Sequence, residues 1–132
     1  KETSEHAKRS ILLVDDSPFF RNMLTPLLSV AGYRVTSVEG AAEALELCEK
    51  GQTFDLIVSD IEMPDMSGFE FAKKVKAEDS LWHDTPLVAL TSHGAPSDLD
   101  KGHEVGFNKY ILKFDRETLL DTLEETLSSV YS

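Results

Sequence analysis

Four apolar runs in this sequence end on a side chain able to do polar chemistry. ILLV at 11–14 runs into Asp15 and Asp16, FDLIVS at 54–59 into Asp60, PLVAL at 86–90 into Thr91, and KYIL at 109–112 into Lys113. If the fold gathers those ends, the carboxylates repel one another by about 4 kcal/mol per pair at contact distance in a partly screened site. Such a cluster calls for a cation, and carboxylate oxygens with no His or Cys nearby in sequence favour Mg²⁺ over zinc. An aspartate can also act as a nucleophile and form an acyl phosphate, while Mg²⁺ and an ammonium neutralise charge on the transferring phosphoryl group. Taken singly, each residue could merely begin a surface loop; as a set they match phosphoryl transfer to Asp60.

The elements that must position them alternate regularly. The runs ILLV (11–14), YRVTSV (33–38), FDLIVS (54–59), PLVAL (86–90) and KYIL (109–112) read as strands, mostly without polar alternation, as suits a parallel sheet covered on both faces. Between them lie helical stretches. Ser17-Pro18 opens one that Gly32 closes, and AAEALELCEK runs from Gly40 to Gly51. FEFAKKVKAE (69–78) and SDLDKGHEV (97–105) supply the third and fourth. The last spans about 116–130, with Asp115 as N-cap and Leu119, Leu120, Leu123, Leu127 and Val130 on one face. Alternating strands and helices with right-handed crossovers predict an α/β, doubly wound (βα)5 sandwich of the flavodoxin-like kind, with strand order 2-1-3-4-5. In that order strands 1 and 3 are neighbours at the switch point, and a ligand crevice opens beyond their C-terminal ends.

Composition narrows the partners. The 132 residues suit one domain, read as a tail over 1–9 followed by a folded unit over 10–132. Twenty-four acids against thirteen bases give a net charge of −11, which opposes binding to nucleic acid or anionic lipid. No apolar run approaches the ~20 residues of a membrane helix, and KETSEHAKRS lacks the apolar stretch of a signal peptide, so membrane insertion is not expected and the cytoplasm is. The absence of an initial Met suggests a piece of a longer protein. Cys48, the one cysteine, reads as a packed side chain, and His6, His83, His93 and His103 show no ligand spacing.

Four motifs in order, ILLVDDSPFFR, LIVSDIEMPDMSGFE, VALTSHG and GFNKYILKF, resemble the receiver domains of two-component signalling over roughly residues 9 to 130. The resemblance implies that Asp60 accepts a phosphoryl group from a histidine kinase or histidine phosphotransfer domain. Asp15, Asp16, Asp60 and the backbone carbonyl of Glu62 would hold Mg²⁺, Asp16 more directly than Asp15. It further implies that Thr91 hydrogen-bonds the phosphoryl group, that Lys113 pairs with it, and that Tyr110 is the switch aromatic. The fourth helix, fifth strand and fifth helix would form the output face. Each residue has a plainer role open to it: Thr91 as a strand-end hydroxyl, Tyr110 as a packing residue, Lys113 as a snorkelling edge residue.

The last motif narrows the resemblance. Family members usually have Pro after the lysine, whereas here Phe114 follows Lys113 in KFDRETLLDTL. Beside VALTSH, that variant resembles receivers fused to chemotaxis histidine kinases or to chemotaxis coupling proteins, which would add a coupling or motor-side partner; a stand-alone chemotaxis receiver is the alternative. With Phe in place of Pro, the Lys113–Phe114 bond is expected to be trans, and the altered loop to draw Lys113 away from Asp60. A flavin carrier of the same topology would need a Ser/Thr/Gly-rich phosphate loop after strand 1, where two carboxylates stand. A metal-dependent aspartyl-phosphate hydrolase would need a cap domain for which there is no room, and a pure interaction module would not need the five site residues.

Overall fold

The computed structural model describes residues 9–63, 65–91, 104–113 and 115–131. The apolar runs form β1 (Ser10–Val14), β2 (Arg34–Val38), β3 (Leu56–Asp60), β4 (Leu87–Thr91) and β5 (Lys109–Leu112). The periodic stretches form α1 (Pro18–Val30), α2 (Ala41–Glu49), α3 (Gly68–Val75) and α4 (Arg116–Tyr131). All strand pairs are parallel, in the order β2-β1-β3-β4-β5, so the expected doubly wound topology holds.

Period-two alternation along the strands divides the interior into two cores. Leu12, Val14, Ile57, Leu87 and Ala89 pack with Phe71, Ala72 and Val75 of α3 and with Ala41 and Ala44 of α2. Ile11, Leu13, Val58, Val88, Leu90 and Ile111 pack with Leu24 and Leu28 of α1 and with Leu119, Leu123 and Leu127 of α4. β1, β3 and β4 are therefore covered on both faces, which is why they read as unbroken apolar runs. β2 lies at the sheet edge and buries only Val38, so its RVTSV tolerates polar residues.

Local signals set the helix ends. The Ser17 hydroxyl accepts from Phe20 N–H at 3.4 Å with Pro18 in the first turn, and Asp115 accepts from Thr118 N–H at 3.1 Å as the predicted cap of α4. Gly32 and Gly51, at φ of 105° and 87°, turn the chain out of α1 and α2 as only glycine does readily. α3 stops at Val75, short of the expected 78: Lys76 leaves helical geometry at φ −92° and ψ 6°, and its ammonium donates to the carbonyls of His83 and Thr85. Val130, expected on the buried face of α4, is instead 45% exposed near the helix end. Cys48 is half-buried, packed against the α2 side of the sheet. Of the predicted fourth helix over 97–105, only Glu104 and Val105 fall among the described residues, and both are helical. The Lys113–Phe114 bond, His6, His93 and His103 lie outside the described residues.

One glycine matters to the strand ends. Gly68 N–H donates to the Ile61 carbonyl at 2.8 Å, folding the chain after β3 back on itself. A Cβ at this position would stand 2.6 Å from the Asp60 carbonyl oxygen and 2.7 Å from Ile61 Cα, and backbone cannot give way as a side chain can. Gly68→Ala is therefore expected to lose about 1–3 kcal/mol of stability, measured as a lower urea midpoint at unchanged slope. An unchanged midpoint would contradict the close approach.

Candidate functional site

Strand register converts distant sequence positions into neighbours. Val14 pairs with Ser59, so the next step along both strands brings Asp15 beside Asp60. Asp60 pairs with Leu90, and Thr91 pairs with Leu112, which places Thr91 and Lys113 on the same rim. Lys113 N–H then donates to the Thr91 carbonyl at 2.9 Å, carrying the ladder one residue past β5.

On this rim Asp15 and Asp60 are both 0% exposed, an unusual burial for carboxylates. The buried Lys113 ammonium lies 3.1 Å from Asp60 Oδ2 and 3.3 Å from Asp15 Oδ2, and 4.4 Å above the Phe20 ring. The expectation that Phe114 would draw Lys113 away from Asp60 is not met: two buried carboxylates and an aromatic face hold the ammonium in place. Asp15 is fixed further by Ser17 N–H, which donates to its Oδ1 at 2.9 Å, and by Arg21, whose Nη1 donates to its carbonyl at 2.7 Å. Asp16 is exposed at the mouth.

The donor set fits a hard divalent cation. One carboxylate oxygen from each of Asp15, Asp16 and Asp60 lies within 4.8 Å of the others. Asp15 Oδ2 is buried and, although Lys113 is within ion-pair distance, accepts no hydrogen bond of good geometry. Among the described residues the three carboxylates outnumber the Lys113 ammonium that pairs with them, and the oxygens are those Mg²⁺ prefers.

Glu62 has a part that motif spacing did not reveal. Its backbone N–H donates to Asp60 Oδ1 at 3.1 Å, and its side-chain Oε2 accepts the Thr91 hydroxyl at 3.2 Å. The resemblance implies only a backbone role for Glu62; the available signal is a second carboxylate two residues beyond Asp60 in DIEM. Asp65 was also missed. Its carboxylate accepts from Ala42 N–H at 3.0 Å, tying the loop after β3 to the start of α2, and Gly40 leaves room for it. Tyr110 sits half-buried opposite Ala89, two positions before the Thr91 pairing, on the same sheet face as Thr91.

Burial and then the neighbouring Asp15 charge push the Asp60 carboxyl up to about 7, against the opposing pull of Lys113. For Lys113 burial disfavours the ammonium, but Asp60 and Asp15 outweigh it and the pKa rises. Because the folded Asp60 binds its proton more tightly than the unfolded chain does, its contribution is full below about pH 4 and is lost as pH climbs through about 7. Without divalent metal, Asp60→Asn should thus be more stable than the parent at pH 8, and the gap should close toward pH 4. Urea unfolding in a chelator at several pH values measures it; a gap independent of pH would contradict the assignment.

Comparison with known proteins gives the family. Residues 11–124 match the family described as the response regulator receiver domain. A chemotaxis protein CheY homolog of Campylobacter jejuni is 32% identical over 121 residues, spanning 90% of this chain and 92% of its own. Among solved structures, the chemotaxis response regulator CheY4 of Vibrio cholerae superposes with a TM-score of 0.82 at 39% identity, over 89% of this chain and 98% of that one. The receiver domain of a sensor histidine kinase from Pseudomonas aeruginosa, solved with a magnesium ion in its active-site cleft, gives 0.81 at 29% identity over 92% and 98%. Receiver domains generally use Mg²⁺ at such an acidic rim and work with histidine kinases or phosphotransfer proteins. With the fold, the strand-end cluster and the sequence match in agreement, this chain belongs to the response regulator receiver family of two-component signalling.

Proposed function

We propose that this receiver takes a phosphoryl group from a phosphohistidine onto Asp60 in a Mg²⁺-dependent reaction. The observation that carries the reading is the buried Asp60–Lys113–Asp15 cluster, with Lys113 Nζ 3.1 Å from Asp60 and Asp16 at its mouth. Asp15, Asp16, Asp60 and the Glu62 carbonyl would hold the metal, which when bound offsets negative charge on the acceptor and on the incoming phosphoryl group. Glu62 N–H and the Lys113 ammonium each hold one oxygen of Asp60, so the carboxylate plane is set before the donor arrives. One Asp60 oxygen bonds phosphorus as the phosphorus–nitrogen bond breaks, and the leaving imidazole nitrogen takes a proton from water. Lys113 supplies positive charge to the phosphoryl oxygens, and Thr91 donates its hydroxyl to one of them.

The same reading makes residues 10–132 the receiver and 1–9 a linker, in the cytoplasm, on a hybrid chemotaxis histidine kinase. The Lys113–Phe114 variant and the likeness to a sensor-kinase receiver support that parentage. A stand-alone chemotaxis regulator is the second reading, favoured by a homolog matched over 92% of its own length. In either case Thr91 moves toward the phosphoryl group and Tyr110, on the same sheet face, turns inward to change the β5–α4 surface. A chemotaxis coupling or motor-side protein is the kind of partner that would read it.

Mass spectrometry after incubation with phosphoramidate and Mg²⁺ tests the central step. One phosphoryl group should appear on Asp60, none in chelator, and none on Asp60→Asn. Equal labelling of Asp60→Asn at another residue would contradict the proposal.

A further inference from the structure

Asp60 and Thr91, the proposed acceptor and the proposed switch hydroxyl, are both bonded to the same residue. Glu62 holds Asp60 Oδ1 through its backbone N–H at 3.1 Å and Thr91 Oγ1 through its side-chain Oε2 at 3.2 Å. A threonine hydroxyl carries a single proton, so the donor that satisfies Glu62 is withheld from anything on Asp60. Thr91 is 1% exposed, whereas Glu62 belongs to the exposed residues, so the carboxylate reaches in from the solvent side to a hydroxyl that water scarcely touches. An ionised acceptor makes the bond stronger than a neutral one would.

We propose that the Glu62 side chain is a latch: a positioning residue that holds Thr91 in its unphosphorylated setting and sets how readily the domain enters the switched one. The inference rests on the phosphoacceptor reading of Asp60 and goes beyond it, because it assigns a role to the Glu62 side chain, where that reading uses only the Glu62 backbone. Phosphoryl oxygens on Asp60 compete with Glu62 Oε2 for the one Thr91 proton. Release of the latch is then part of what phosphorylation must accomplish, and only a fraction of molecules is ready to bind a phosphoryl group in the switched geometry at any moment. Glu62→Ala removes the side-chain acceptor of the Thr91 hydroxyl while the chain keeps a backbone N–H at this position for Asp60. Glu62→Gln keeps an acceptor oxygen while losing the charge, which separates latch from repulsion.

The test uses beryllofluoride with Mg²⁺ as the phosphoryl mimic, titrated into parent, Glu62→Ala and Glu62→Gln and followed by amide spectra at Thr91 and Tyr110. A latch predicts beryllofluoride affinity about tenfold tighter for Glu62→Ala than for the parent. Glu62→Gln should fall between them, nearer the parent. In metal-free protein without the mimic, the Thr91 methyl couplings should shift in Glu62→Ala toward the values that the parent takes with the mimic bound, a change that loss of charge alone would not produce. Equal tightening in both variants, or a Thr91 rotamer indifferent to Glu62, overturns the latch. A parent that binds the mimic but is matched by both variants also overturns it. A parent that shows no Mg²⁺-dependent binding at all overturns the phosphoacceptor reading, and the latch with it.

Discussion

Two carboxylates, both fully buried and side by side at the ends of β1 and β3, impose the constraint on which the site depends. Ionised carboxylates this close in a shielded setting are costly, and a single ammonium placed between them recovers part of that cost. Lys113 provides it from β5, the strand farthest from β1 among β1, β3, β4 and β5, and Phe20 from α1 closes over the ammonium at 4.4 Å. The compensation is incomplete. Asp60 stays raised to about 7, and the excess negative charge is what makes the rim a place for a divalent cation.

The sheet turns this constraint into geometry. Parallel pairing at β1–β3, β3–β4 and β4–β5 puts Asp15, Asp60, Thr91 and Lys113 on one rim without a long loop having to be ordered to bring them together. Short-range devices refine the positions: Ser17 N–H and Arg21 on Asp15, Glu62 N–H on Asp60, Gly68 folded against the Asp60 carbonyl, and Asp65 anchoring the β3–α3 loop to α2. Rigidity at the acceptor and an engaged hydroxyl at Thr91 therefore come from the same short loop.

Much of this was legible because apolar runs ending in polar residues have few solutions in a parallel sheet. The strand order, the convergence of Asp15, Asp60, Thr91 and Lys113, and the caps at Ser17 and Asp115 all followed from pattern and spacing. Side-chain reach did not. Glu62 was given only its backbone, since nothing in DIEM tells whether a carboxylate two residues on turns to solvent or back to Thr91. Lys113 was expected to drift because Phe114 replaces the usual proline, yet ion pairing in a buried setting outweighs the change in the next residue. The end of α3 falls earlier than expected because the lysine, alanine and glutamate of VKAE favour helix locally, while tertiary contacts of Lys76 with the carbonyls ahead of β4 do not show in the sequence.

The claim that Lys113 is what allows Asp15 and Asp60 to be buried together is tested most directly by a double-mutant cycle. Lys113→Met, which keeps the side-chain bulk, is measured by urea unfolding at pH 8 in chelator, in the parent and in the Asp60→Asn background. The account predicts that the substitution costs substantially more when Asp60 is present, with a coupling of about 1–3 kcal/mol. Equal costs in the two backgrounds would mean that Asp60 is buried without the help of Lys113, and would contradict it.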